Sequence, residues 1–114
     1  METRHWPFGT AEYFEHPVFS GVRIARLVGG ADGCGTSVSL LEISPGTTID
    51  EHVHAQQSDS IMILDGQGEA YVNGTWKSVG AGDYLMVPHG VRHAMRNTGP
   101  GVLRLFVTHC PALF

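Results

Sequence analysis

Apolar and polar residues alternate along this chain with a period close to two, in short runs that glycine, proline and asparagine interrupt. Runs of this kind cover residues 22–28, 37–43, 48–54, 60–64, 69–72, 84–87, 91–96 and 102–108, and they are rich in Val, Ile, Leu and aromatic residues. That period and composition belong to half-buried strands. Between them stand Pro45-Gly46, Asp65-Gly66, Asn73-Gly74, Gly80-Ala81-Gly82 and Gly99-Pro100-Gly101. Asn-Gly flanked by Tyr71-Val72 and Thr75-Trp76 is a hairpin signal, because a two-residue turn needs left-handed backbone at both positions. No stretch sustains a 3.6-residue period over three turns, and residues 4–19 read as an extended arm or one short helix. The pattern predicts a single all-β domain over 1–114, a sandwich or barrel with an N-terminal arm at 1–19.

Length and charge narrow the picture. A chain of 114 residues closes one core and is too short for two. Seven Lys+Arg against eleven Asp+Glu give a net charge of −4, with no basic cluster to meet nucleic acid or a membrane surface. No apolar run approaches the roughly 20 residues of a membrane span, and the opening METRHWPFGTAEYFEH has no apolar signal-peptide core, so a cytoplasmic protein is expected. Cys34 and Cys110 form no CxxC pair and are read as reduced thiols.

The chemistry concentrates in histidine. His52 and His54 are one residue apart in a strand-like run, so both imidazoles project to one face. Two neutral imidazoles in a half-buried place need a shared partner, and a metal cation is the usual one. Read more widely, the segment is Gly46, five residues, His52-Val53-His54, four residues, Asp59, six residues, Gly66. A second segment reads Gly82, five residues, Pro88-His89-Gly90, two residues, His93, three residues, Asn97.

Together these segments resemble the two motifs of the cupin superfamily, and the fifteen residues between them match the short spacing of small single-domain members. The second segment (82–97) agrees at every defined position. The first (46–66) departs once, with Asp59 where the family carries glutamate. The resemblance implies a jelly-roll barrel with its site in the open end, and a divalent transition metal (Fe, Mn, Ni, Co, Cu or Zn) held by His52, His54, Asp59 and His93. Three imidazoles and a carboxylate without thiolates suit such an ion and argue against a structural zinc. Asp is one methylene shorter than Glu, which leaves open direct ligation by Asp59, contact through water, or a three-histidine site. The remaining histidines are read differently: His5, His16 and His109 as ordinary hydrogen-bonded residues, and His89 as part of a turn.

Strand parity with these positions places Ile61, Ile63, Met95 and Val91 along a pocket wall, with Gln57 in the turn between ligands. Tyr84, Arg26 and Arg104 are candidate polar contacts to a substrate. The implied function is a metal-dependent enzyme with dioxygenase-, isomerase- or lyase-like chemistry on a small organic acid, diketone or sugar derivative. A non-catalytic ligand sensor is the alternative, and a storage role ranks last. Exposed sheet edges and the aromatic arm (Trp6, Phe8, Tyr13, Phe14, Phe19) predict a homodimer, or an arm packed on its own sheet.

Overall fold

Ten strands, all paired antiparallel, build two sheets in a computed structural model that describes residues 2–114; Met1, the first residue of the predicted arm, lies outside them. The strands are β1 (Phe14–Glu15), β2 (Val22–Val28), β3 (Ser37–Ile43), β4 (Thr48–His52), β5 (Ser58–Asp65), β6 (Gln67–Val72), β7 (Thr75–Gly80), β8 (Tyr84–Val87), β9 (His93–Asn97) and β10 (Leu103–Cys110). One sheet runs β1-β2-β3-β10-β5-β8 and the other β4-β9-β6-β7. This is the all-β jelly roll that the alternation and the resemblance predict. Among the described residues no helix is long and apolar enough to cross a membrane.

Parity decides which side chains enter the core. In β10, Leu103, Leu105, Val107 and His109 are buried while the residues between them face outward. In β5, Asp59, Ile61 and Ile63 are buried in the same way. These meet Val22, Ile43, Ile49, Ala70, Val79, Val87 and Met95 from the other strands in one apolar cluster. Asn73 (φ 52°) and Gly74 (φ 85°) form the two-residue hairpin between β6 and β7, closed by the Val72–Thr75 pair.

Three expectations need adjusting. The strand read as 48–54 ends at His52, and His54 lies in the connection to β5. Residues 75–80 form β7, an edge strand whose only fully buried side chain is Val79. The arm is extended: Phe14 pairs with Ile24 and Glu15 with Arg23, Phe19 packs on the core, and Arg4 reaches Asp32 at 2.9 Å. Phe8 alone of its aromatics is fully exposed.

Two turns fix the strands that carry the histidines. Gly66 has φ +94°, and a Cβ there would meet the Val102 carbonyl at 2.7 Å, so this β5–β6 junction requires glycine. Asn97 closes the other end of the second motif: its amide donates to the carbonyls of Ile43 and Gly101, each at 2.8 Å, and its Oδ1 accepts from Gly99 N–H at 2.9 Å.

Candidate metal centre

Five side chains from four places in the fold converge at one end of the core. His52 closes β4, His54 follows it, Asp59 lies in β5, His93 opens β9 and His109 lies near the end of β10. His52 pairs with His93 across the β4–β9 ladder, and Asp59 pairs with His109 across β5–β10. The turn at Pro88–Gly90 ties the two motifs together, because Gly90 N–H donates to the His54 carbonyl at 2.8 Å. The ring centroids of His52 and His93 are 4.2 Å apart, and those of His52 and His54 are 5.0 Å apart.

The histidine tautomers follow from the backbone. His52 Nδ1 lies 2.8 Å from the Asp50 carbonyl and His93 Nδ1 lies 3.1 Å from the Val91 carbonyl. A carbonyl only accepts, so each Nδ1 carries its proton and donates it, and in the neutral ring the Nε2 lone pair is free. His93 Nε2 then faces Asp59 Oδ2 at 3.2 Å, with His109 Nε2 at 3.4 Å and His54 Nε2 at 3.6 Å from the same oxygen. Lone pairs facing a carboxylate oxygen repel unless a proton or a cation lies between them.

Electrostatics point the same way. Burial would raise the Asp59 carboxyl, but the imidazoles of His109 and His93 outweigh it and hold the group well below the usual carboxylate range. Burial, and then His109, push His54 down to about 4, against the opposing pull of Asp59. Burial also lowers His52, only partly offset by its hydrogen bond to Asp50. For His93, burial is overcome by the hydrogen bond to Asp59, and the pKa is raised. The Asp59 Oδ1 and both ring nitrogens of His109 are buried without hydrogen-bond partners. Such orphaned groups are rare in folded proteins, and an ion is a common explanation. The ligating atoms of His52, His54 and His93 lie within 4.8 Å of one another, as do those of His54, Asp59 and His109. The donor set therefore fits a divalent transition metal: imidazoles, one ionised carboxylate and no thiolate.

The cluster borders a cavity of about 250 Å³ with mostly aliphatic walls, among them Ile24, Leu41, Ile49, Val72, Leu85 and Leu105. Ile61 and Met95 are among its lining residues. Three other predicted pocket residues are not. Ile63 is sealed in the core at 1% exposure. Tyr84 pairs with Met62 on the outer face, where its hydroxyl meets that of Ser60 at 2.7 Å. The Gln57 amide donates to the Ala112 carbonyl at 3.4 Å. Val91 likewise stays outside the cavity, being 37% exposed, and Arg104 pairs with Glu42 at 3.2 Å. Arg26 does line the cavity and stacks over the Phe114 ring at 4.8 Å. His16, Pro17 and Val18 of the arm, with Leu113 and Phe114, complete the lining. His109 is the residue that the sequence reading placed among ordinary core histidines. Its signal was the alternation Leu103, Leu105, Val107, which runs on to it.

A cupin domain profile matches residues 39–109, which span both motifs and all five clustered side chains. The chain belongs to the cupin family. Among curated relatives, this cupin is 30% identical over 70 residues to the HTH-type transcriptional regulator PuuR of Escherichia coli, covering 61% of this chain and 38% of the regulator. It is 29% identical over 68 residues to the polyketide synthase CurC of Streptomyces cyaneus, covering 60% of this chain and 44% of that protein. The chain thus spans roughly two fifths of the length of the curated relatives it matches. Among solved structures, the polyketide cyclase RemF from Streptomyces resistomycificus superposes with a TM-score of 0.80 at 19% identity, covering all of this chain and 87% of that one.

Proposed function

We propose that this cupin is a metal-dependent enzyme acting on a small, largely apolar organic molecule that carries a carbonyl or enol oxygen. The observation that carries this reading is the His/Asp cluster beside an aliphatic cavity whose lining includes one arginine, Arg26. His52, His54, Asp59 and His93 would hold the ion. A divalent metal supplies Lewis acidity that polarises a carbonyl or stabilises an enolate. The chain's own residues do the rest. The carbonyls of Asp50 and Val91 hold two imidazoles in the ligating tautomer. Aliphatic walls exclude water and select an apolar body, which favours a diketone or an aromatic-derived acid over a sugar, whose hydroxyls would find few partners there. Arg26 is placed to pair with an anionic group on the substrate. The relationship to CurC supports a keto- or enol-bearing substrate.

The relationship to PuuR supports a second reading, a ligand-binding cupin without turnover. Protein reconstituted with Fe(II), Mn(II), Ni(II), Co(II), Cu(II) or Zn(II) and offered small β-diketones and aromatic keto acids separates the two. Product formation that requires metal is the expected result, whereas saturable binding without product favours the sensor.

We further propose a cytoplasmic homodimer. The outer face of the six-stranded sheet exposes Met62, Leu64, Tyr84, Met86 and Phe106, with Phe106 and Tyr84 flanking Met62 on neighbouring strands. An exposed apolar patch of this kind marks an interaction surface, and a second copy offers the complementary patch.

A further inference from the structure

We propose that His109 is a fifth protein ligand of the metal, so that β10 completes the site with a fourth imidazole. This rests on the metal-centre reading above and extends it to a residue outside both motifs. The geometry begins with Asp59. The residue directly across the ladder from it is His109, whose ring lies 4.8 Å from that of His54. Metal bonds of about 2.1 Å at right angles put neighbouring ligand atoms about 3.0 Å apart. Asp59 Oδ2 lies 3.2, 3.4 and 3.6 Å from Nε2 of His93, His109 and His54. One carboxylate oxygen is thus about one coordination edge from three imidazole nitrogens, and His109 Nε2 lies between those of His93 and His54 in its distance from it.

Asp59 Oδ1 is buried and unpartnered, while His109 Nε2 faces Oδ2, the oxygen shared with the other imidazoles. His109 Nδ1 is buried without a hydrogen-bond partner, and its Nε2 has only the Asp59 carboxylate before it, at 3.4 Å. Its 7% exposure and the unbroken β10–β5 pairing from Leu105 to Cys110 hold it there.

The consequence concerns substrate. Five protein ligands leave one open position on an octahedral ion. The substrate then binds through a single carbonyl or enolate oxygen, and a two-oxygen chelate or simultaneous capture of substrate and O2 is disfavoured. The site is that of a Lewis acid more than of a dioxygenase.

Cobalt(II) reports on the site without any turnover. X-ray absorption of the Co(II)-loaded wild-type protein is expected to require four imidazoles; a fit to three overturns the assignment, and this readout needs no variant to fold. In His109→Ala, with unchanged far-UV circular dichroism, the Co(II) dissociation constant measured by chelator competition is expected to rise at least tenfold and the imidazole count to fall by one. A variant that binds Co(II) within twofold of wild type, or more weakly but with an unchanged imidazole count, also overturns it, and in either case the metal-centre reading survives. Wild-type protein that takes up no Co(II) at all removes both.

Discussion

Asp59 is 4% exposed and meets three imidazoles, so the burial of its charge is offset by donated ring protons or by a metal ion. His54, with its pKa near 4, is not a cation at neutral pH. Replacing the carboxylate therefore tests the centre directly. Asp59→Ala is expected to weaken Zn(II) binding at least tenfold by calorimetric titration, and His93→Ala or the double change His52→Ala/His54→Ala to abolish it. Should Asp59→Ala bind Zn(II) as wild type does, Asp59 takes no part in holding the metal. Ile63 gives a contrasting case. It touches no predicted ligand function, and Ile63→Ala is expected to cost about 2–5 kcal/mol in urea unfolding through cavity formation alone.

At the scale of elements, the turns of the two motifs are structural in the first place. Gly66→Ala forces a Cβ against the Val102 carbonyl in a left-handed backbone, and a loss of about 1–3 kcal/mol is expected from denaturant midpoints. Asn97→Ala orphans the Ile43 carbonyl and Gly99 N–H and is expected to cost about 3 kcal/mol. These elements were legible in the sequence because period-two alternation and glycine spacing are local signals. β7 was not: Thr75, Lys77 and Ser78 are polar, and an edge strand needs only Val79 to anchor it. The facing of Tyr84 and the neighbours of His109 were not legible for a different reason. Facing depends on register between distant strands, and only the pairing of Tyr84 with Met62 and of His109 with Asp59 fixes it. The motif histidines escaped this difficulty because their spacing, rather than their register, identified them.

For the whole molecule, a ligand that binds only the folded state stabilises it by mass action. Free metal at a hundred times its dissociation constant contributes about 2.7 kcal/mol, which for a chain of this size raises Tm on the order of 10 °C. Calorimetry of protein with and without Zn(II) checks this, and EDTA is expected to reverse it. Light scattering is expected to give twice the 12.3 kDa chain mass at micromolar concentration, and Met62→Lys to return the monomer.

The position of β10 carries a further consequence, for the time course of folding. It lies between β3 and β5, yet the ribosome makes it after both. Until residues 103–110 emerge, the larger sheet has a gap at its centre, with the β3 and β5 edges unpaired and open to association with other nascent chains. Closing that gap joins residues as distant in sequence as Ile43 and Leu103, and contacts of such high order fold slowly, in milliseconds to seconds. The strand that supplies His109 is also the one that closes the sheet, so the five clustered side chains come together only when the sheet does.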